Sequence, residues 1–305
     1  MRAPIPAWPG ELISLGDLEI FTRTAPARGS DAEPAVFVHG LAGSAANWTD
    51  LMGLLSGDFA GEAMDLPGFG YSPPPPDRDY SIDAHAQSVV RLIEMRARGP
   101  VHLFGNSLGG AIATRLAGSR PDLVRTLTLI SPALPDLRLR YGPARILAAT
   151  MPGFGPWAVR RFILQSAEQR VQGTLDMCFA DPTGVHPDRL MEFVEDVRRR
   201  DGLSHTAEAL IASSRGIVNA YVRRSLWRDA ARVSAPTLLI YGRHDRLVDP
   251  RMAARAGRVF KRARVVVLPD VGHVAQMERP EVVAREFRAM LEDIAVPEDT
   301  TSAAG

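Results

Sequence analysis

The stretch Val101-His102-Leu103-Phe104-Gly105-Asn106-Ser107-Leu108-Gly109-Gly110-Ala111-Ile112-Ala113-Thr114-Arg115-Leu116-Ala117 decides the fold. Its first four residues form a short apolar run suited to a buried strand, and Ala111 to Ala117 reads as a helix. Between them lies Gly105-x-Ser107-x-Gly109. A strand that passes directly into a helix needs a very tight turn. Glycines on both sides of the serine permit it, because Cβ atoms there would collide. Such a turn projects the serine hydroxyl away from the sheet. It also sets the Leu108 N–H at a helix N-terminus, where negative charge is stabilised. The pattern alone leaves an ordinary glycine-rich strand-to-helix turn open as an alternative.

On the N-terminal side, Leu12 to Leu15 and Leu18 to Thr22 read as a hairpin turning at Gly16-Asp17. Ala35 to Val38 is a buried parallel strand ending at His39-Gly40, and a helical pattern follows from Ser44, with Trp48, Leu51, Leu54 and Leu55 on one side. Phe59 to Met64 is the next strand, closed by Asp65-Leu66-Pro67-Gly68-Phe69-Gly70, and Pro73 to Pro76 stiffen the loop after it. Ser81 is a candidate N-cap for a helix whose apolar positions are Val89, Leu92, Ile93 and, at its end, Met95.

On the C-terminal side, a helix ends near Pro121 and Thr126 to Ile130 is a strand. The alternation then stops. Residues 133–232 show helical patterns punctuated by Pro152, Pro156, Pro182 and Pro187, with Leu190, Phe193, Val194 and Val197 at helical spacing. After Pro236 the alternation resumes: Thr237 to Tyr241 a strand, Arg251 to Val259 a helix, Val265 to Leu268 a strand, Glu281 to Leu291 a helix. Strand–helix alternation interrupted by a helical block predicts an α/β fold, a mostly parallel sheet flanked by helices with a helical insertion. The expected organisation is a discontinuous core of residues 1–132 and 233–296, an insert of 133–232, and a polar, disordered tail over 297–305.

Serine is a poor nucleophile until a base removes its proton. The candidate base is His273, in Asp270-Val271-Gly272-His273 just after the last strand. The candidate orienting acid is Asp245, in Tyr241-Gly242-Arg243-His244-Asp245 after the penultimate strand, with Asp249 as its rival. The chain order Ser, Asp, His is the order of an α/β sheet with a serine elbow. A developing oxyanion needs two donors. The backbone N–H groups of Leu108 and of Leu41, in Val38-His39-Gly40-Leu41, are the candidates, and the His39 side chain is read as structural.

Composition excludes other classes. The formal net charge over 305 residues is +1, so no polyanion partner is implied, and no concentrated basic face suggests nucleic acid. The densest basic run, Arg198 to Arg200, lies beside Glu195, Asp196 and Asp201 and reads as a solvated helix end. The single cysteine, Cys178, allows no disulfide within the chain and no zinc–thiolate cluster. The histidines show no metal-ligand pairing with carboxylates, so neither a metal nor another cofactor is expected. The proline-rich start does not read as a signal peptide, and no stretch approaches the ~20 apolar residues of a membrane span. The expected location is the cytoplasm, and the sequence leaves the oligomeric state open.

His39-Gly40-Leu41 with Ser44 and Trp48, Asp65 to Ser72, the Ser107 elbow, Gly242-x-x-Asp245 and Gly272-His273 together resemble the capped α/β-hydrolases, over about residues 11 to 294. The resemblance implies the α/β-hydrolase fold, a triad of Ser107, Asp245 and His273, a helical cap formed by the insert, and a largely architectural role for the 65–72 loop. Dehalogenases and epoxide hydrolases of this fold carry an aspartate nucleophile, which Ser107 argues against. Gly105 to Gly110 and Gly272 to Glu278 resemble the carbon–carbon hydrolases of meta-cleavage products. Two departures point instead to an ester hydrolase: Val274 stands where those enzymes usually have an aromatic residue, and Leu41-Ala42-Gly43 replaces their glycine-rich oxyanion loop. In the insert, Met151, Phe154, Trp157, Phe162, Met177, Phe179 and Met191 are candidates for an apolar acyl or aryl pocket, against the alternative that each packs the insert onto the core. The expected activity is hydrolysis of a small-molecule carboxylic ester, small to medium and apolar, through an acyl-enzyme. Carbon–carbon bond hydrolysis is the first alternative, and a non-catalytic binding protein on the same fold is the second.

Overall fold

The computed structural model describes residues 5–27, 29, 32–136, 150–151, 153, 157–158, 161–162 and 164–295. One sheet holds β1 (Gly10–Leu15), β2 (Leu18–Thr24), β3 (Glu33–Val38), β4 (Phe59–Met64), β5 (Val101–Asn106), β6 (Val124–Ile130), β7 (Thr237–Gly242) and β8 (Ala263–Leu268). The spatial order is β1-β2-β4-β3-β5-β6-β7-β8. The pairs β1–β2 and β2–β4 are antiparallel, and the others are parallel. The hairpin joining β1 to β2 turns where expected, with Gly16 at φ +82°, a conformation glycine adopts without steric cost.

The described helices are α1 (Thr49–Leu55), α2 (Ile82–Arg96), α3 (Leu108–Ser119), α4 (Ala167–Cys178), α5 (Pro187–Asp201), α6 (Thr206–Arg223), α7 (Ser225–Arg232), α8 (Met252–Val259), α9 (Ala275–Glu278) and α10 (Pro280–Ala295). Ser81 caps α2 as expected, its hydroxyl accepting from the Ala84 N–H at 3.1 Å. Met95, at the end of that helix, is exposed rather than packed.

Strand side chains alternate between the two sheet faces. Val36, Val38, Leu103, Leu129, Leu239 and Tyr241 join one core with residues of α2, α3 and α7. Ala35, Phe37, Phe104, Leu238 and Ile240 join the other with α1 and α10. In the second core Phe104, three residues before Ser107, stacks on Phe37 with ring centroids 4.5 Å apart and meets Phe287 at 4.8 Å. Aromatic pairs of this kind contribute roughly 0.5–1.5 kcal/mol each beyond their area. They fix the strand that carries the elbow between its neighbour β3 and the final helix.

The chain leaves β3 for β4 on one side and then returns to β5 on the other. Strand order therefore reverses between β3 and β5. In open α/β sheets ligands bind outside the carboxyl ends of the strands at such a reversal. Gly40-Leu41 follows β3 and Ser107 follows β5.

Two glycines of the elbow have no room for a side chain. A Cβ on Gly105 would lie 2.5 Å from the Gly109 carbonyl oxygen, and one on Gly109 would lie 2.6 Å from the His39 carbonyl oxygen and closer still to that of Val38. The obstacles are backbone, so no side chain can yield. Gly109→Ala is expected to cost about 3 kcal/mol or more. Gly173→Ala, in α4 with nothing within 4 Å, is expected to gain up to about 1 kcal/mol from helix propensity. Denaturant midpoints of the two variants check the contrast, and equal shifts would contradict it.

Candidate active site

Ser107 sits at φ +54°, ψ −115°, an unfavourable region for a residue with a Cβ. Three backbone bonds hold it there. Its N–H donates to the Ile130 carbonyl at 3.1 Å, and its own carbonyl accepts from Ala111 at 3.1 Å and Ala133 at 2.9 Å. Leu108 is the first residue of α3. A Cβ on Gly40 would lie 3.1 Å from the Ser107 Cβ. Gly40, before the candidate donor Leu41, therefore lies against the serine, and Leu108, the other candidate, follows it directly in the chain.

His273 and Asp245 are joined, with His273 Nδ1 2.9 Å from Asp245 Oδ2, and both are buried. The other carboxylate oxygen of Asp245 accepts from the N–H groups of Leu247 at 2.8 Å and Val248 at 2.9 Å. Burial alone would raise the Asp245 pKa. The neighbouring His273 and the hydrogen bonds outweigh it and hold the carboxyl below its ordinary value. Asp249 is engaged elsewhere, accepting from the Arg251 N–H at 3.0 Å and Arg251 Nε at 3.2 Å beside α8.

The Asn106 side chain joins elbow and histidine. Its Nδ2 donates to the Ile130 carbonyl and to the His273 carbonyl, each at 3.0 Å. The elbow pattern contained this residue, but a backbone acceptor leaves no trace in sequence.

His39 is architectural in the structure. Its Nε2 accepts from the Leu66 N–H at 2.9 Å, and Nδ1 lies 2.7 Å from the Gly40 carbonyl. Burial lowers its pKa to about 4, so the ring is neutral and Nδ1 carries the proton. Asp65 knots the following loop, accepting from Ala45 N–H at 2.6 Å and Tyr71 N–H at 2.7 Å. Burial pushes its pKa up to about 6. Gly70, at φ +56°, has no space for a Cβ, which would fall 2.6 Å from Asp65 Oδ1. Burial also pushes the Cys178 thiol up to about 12, so it offers no thiolate.

Helices α4, α5 and α6 lie between β6 and β7 in the chain; α6 packs Ala209, Ile217 and Ala220 into the core of α2 and α3, whereas α4 and α5 share a separate apolar cluster. Val171, Leu175 and Phe179 pack with Val274, the residue after the candidate base, and with Leu190, Phe193, Val194 and Val197. The basic run at the end of α5 differs from the expected solvated end. Arg198 is exposed, but Arg199 places its guanidinium 3.6 Å from the Tyr71 ring centroid and donates to the Gly70 carbonyl at 2.8 Å. Arg200 donates to the Ala42 carbonyl at 2.8 Å. Asp196 pairs with both, at 2.8 and 3.0 Å. Charges at i, i+3 and i+4 read as a solvated face, but here they orient two arginines onto the core loops.

The expected apolar pocket is not assembled from the named residues. Met151, Trp157, Phe162 and Met191 are exposed, Met177 is half-buried, and Phe179 packs into the insert's own cluster. Phe154 lies outside the described residues. Among the described residues, no group of three or more histidine, cysteine or acidic side chains is arranged to hold a metal ion. None of the described helices is long and apolar enough to cross a membrane.

A serine on a strained strand-to-helix turn, with a buried carboxylate–histidine pair from later strands of a mostly parallel sheet, defines an α/β hydrolase. The family model of the alpha/beta hydrolase fold matches residues 34–280, and the chain belongs to that family. Among its relatives is the dihydrolipoyllysine-residue acetyltransferase component of the acetoin cleaving system of Pseudomonas putida, 31% identical over 263 residues. That match takes in 86% of this chain, which spans only 64% of the relative's length. The pimeloyl-[acyl-carrier protein] methyl ester esterase of Neisseria meningitidis serogroup C is 29% identical over 87% of this chain and 96% of its own. The solved 2-hydroxy-6-oxo-6-phenylhexa-2,4-dienoate hydrolase of Rhodococcus sp. strain RHA1 superposes with a TM-score of 0.75 at 22% identity, covering 93% of this chain and all of its own, a likeness of fold.

Proposed function

We propose that the protein hydrolyses carboxylic esters of small to medium apolar substrates through an acyl-enzyme on Ser107. The observation that carries this reading is the buried Asp245–His273 pair, held at 2.9 Å and tied by the His273 carbonyl to the side chain of Asn106, the residue before the serine. Asp245 holds the imidazole by Nδ1, which leaves Nε2 to take the serine proton. The Ser107 Oγ attacks the ester carbonyl carbon, and its proton passes to His273. The N–H groups of Leu41 and Leu108 stabilise the oxyanion. Collapse breaks the carbon–oxygen bond to the alcohol, which leaves with the proton from His273. Water then repeats the sequence on the acyl-enzyme and releases the acid. The methyl ester esterase among the relatives supports ester chemistry. In this reading the helical insert of residues 133–232 forms the cap, and its helix α5 is docked onto the core loops by Arg199 and Arg200.

Labelling with a fluorophosphonate, followed by peptide mapping, tests the nucleophile. The adduct is expected on Ser107, together with turnover of short p-nitrophenyl esters. Turnover of a vinylogous diketone with esters left untouched would move the activity to carbon–carbon cleavage. No adduct and no turnover would leave a binding protein.

The pH dependence has a definite sign. A protonated imidazole has no lone pair to accept the hydroxyl proton, so kcat/KM should rise with pH. Asp245, held below the ordinary carboxylate range, is already ionised at the acid end of a profile begun at about pH 5 and adds no second limb. We expect one ascending limb and a plateau between about pH 5 and 9. A flat profile, or one falling with pH, would remove His273 from the role of base.

A further inference from the structure

The loop that carries His273 is bonded to the insert as well as to the core. The Glu278 carboxylate bridges them: Oε1 accepts from the Gly272 N–H at 2.8 Å and Oε2 from the Ala180 N–H at 2.7 Å. The His273 N–H donates to the Cys178 carbonyl at 2.6 Å. The two chains touch so closely that a Cβ on Gly272 would lie 2.8 Å from the Ala180 nitrogen. Glu278 has no basic partner in an ion pair among the described residues. Burial raises its pKa, and the N–H groups of Ala180, Gly272 and Val274 oppose that rise. A partly desolvated carboxylate without a cation depends on such N–H groups for its stability. Glu278 thus grips the main chain on both sides of His273 and, with the same side chain, the segment that follows α4.

We propose that Glu278 is a positioning residue that aligns His273 through the insert, so that the base is in register with Asp245 and Ser107 only while residues 178–180 are docked. The proposal rests on His273 being the general base. The His273 main chain is then fixed at three points: the preceding N–H by Glu278, its own N–H by Cys178, and its carbonyl by Asn106. One of the three, the Cys178 carbonyl, is supplied by the insert itself, and a second, Glu278, is held by its other oxygen to the insert's Ala180 N–H. The insert is therefore part of the catalytic apparatus as well as a cover for it.

Glu278→Gln keeps the shape but turns one acceptor into a donor facing an N–H. Glu278→Asp keeps the charge but is one methylene too short to reach both chains. Each is expected to lower kcat by about 10- to 100-fold, as small misplacements of a reacting group do. KM should stay within about twofold, because no substrate contact is lost. The second readout is the downfield proton resonance of the His273 Nδ1–H···Asp245 bond, which should shift or broaden in both variants while far-UV circular dichroism is unchanged. A purely structural role would lower the melting temperature without moving the resonance or the kcat-to-KM split. If either variant fails to fold, hydrogen exchange in the wild-type protein decides. The amides of Gly272, His273 and Ala180 should open together, and rates differing by more than about tenfold after correction for intrinsic exchange would overturn the coupling. Folded variants with wild-type kcat and an unmoved resonance would also overturn it. The resonance and exchange measurements need no turnover, so they stand apart from the outcome of the fluorophosphonate test.

Discussion

Ser107→Ala is expected to lose about 10⁵- to 10⁶-fold in ester turnover while the melting temperature stays within about 2 °C of wild type. The loss is large because attack, proton transfer and covalent capture all pass through one oxygen. What remains is the donor pair at Leu41 and Leu108, and oxyanion stabilisation with binding alone retains only about 10³- to 10⁴-fold over water. The fold should be indifferent for a specific reason. The strain at φ +54° comes from having a Cβ, and alanine has one too. The backbone bonds of residue 107 to Ile130, Ala111 and Ala133 use no side-chain atom. Turnover in a preparation from an esterase-deleted host, set beside a thermal melt, checks both halves. Activity within about tenfold of wild type would take Ser107 out of the mechanism.

Asp245→Asn should cost about 10⁴-fold in kcat, and Asp249→Asn less than about threefold. An amide at 245 offers a donor to His273 Nδ1 as readily as an acceptor. The ring is then free to place its proton on Nε2, the atom that must accept from the serine. The Leu247 and Val248 N–H groups, 2.8 and 2.9 Å from Oδ1, still want an acceptor, and that directs the amide nitrogen toward the histidine. Asp249 has its acceptor engaged by Arg251 beside α8, so its amide variant should show a small stability change and near-normal turnover. The opposite ranking would give the acid role to Asp249.

The residues legible in the sequence are those whose neighbours in the chain explain them. Gly105 and Gly109 flank Ser107 because the turn closes on itself, and the obstacles to a Cβ include Gly109 and His39 backbone. The strands show because β3, β5 and β7 are buried on both faces and carry near-continuous apolar runs. His273 and Asp245 could be placed because each follows a strand that ends on the same sheet edge. What stayed hidden depends on partners with no side-chain signature. Asn106, Glu278, Arg199 and Arg200 all bind main-chain groups, and every residue offers those. The run Arg198 to Arg200 with Asp196 looks like any solvated helix face until the Gly70 and Ala42 carbonyls are brought to it. The place of the named apolar residues of the insert could not be read for a related reason: spacing shows that a helix has an apolar face, but not which surface that face meets.

The position of the insert between β6 and β7 also has a consequence for synthesis. When β6 has been made, its partner β7 is still about a hundred residues away, which a ribosome adds in roughly 5–20 s. For that interval β6, with Leu127, Leu129 and Ile130 destined for the interior, is an unpaired apolar edge of a half-built sheet. Such edges recruit strands from other chains. Through that interval His273 and the final helix, which bond Asn106 and pack Phe104 in the folded protein, have not been made, so Ser107 has no base to activate it and β6 no strand to cover its flank. The nascent chain is thus both inert toward substrate and prone to association, and a shift to slower translation across residues 133–232 would prolong both conditions together.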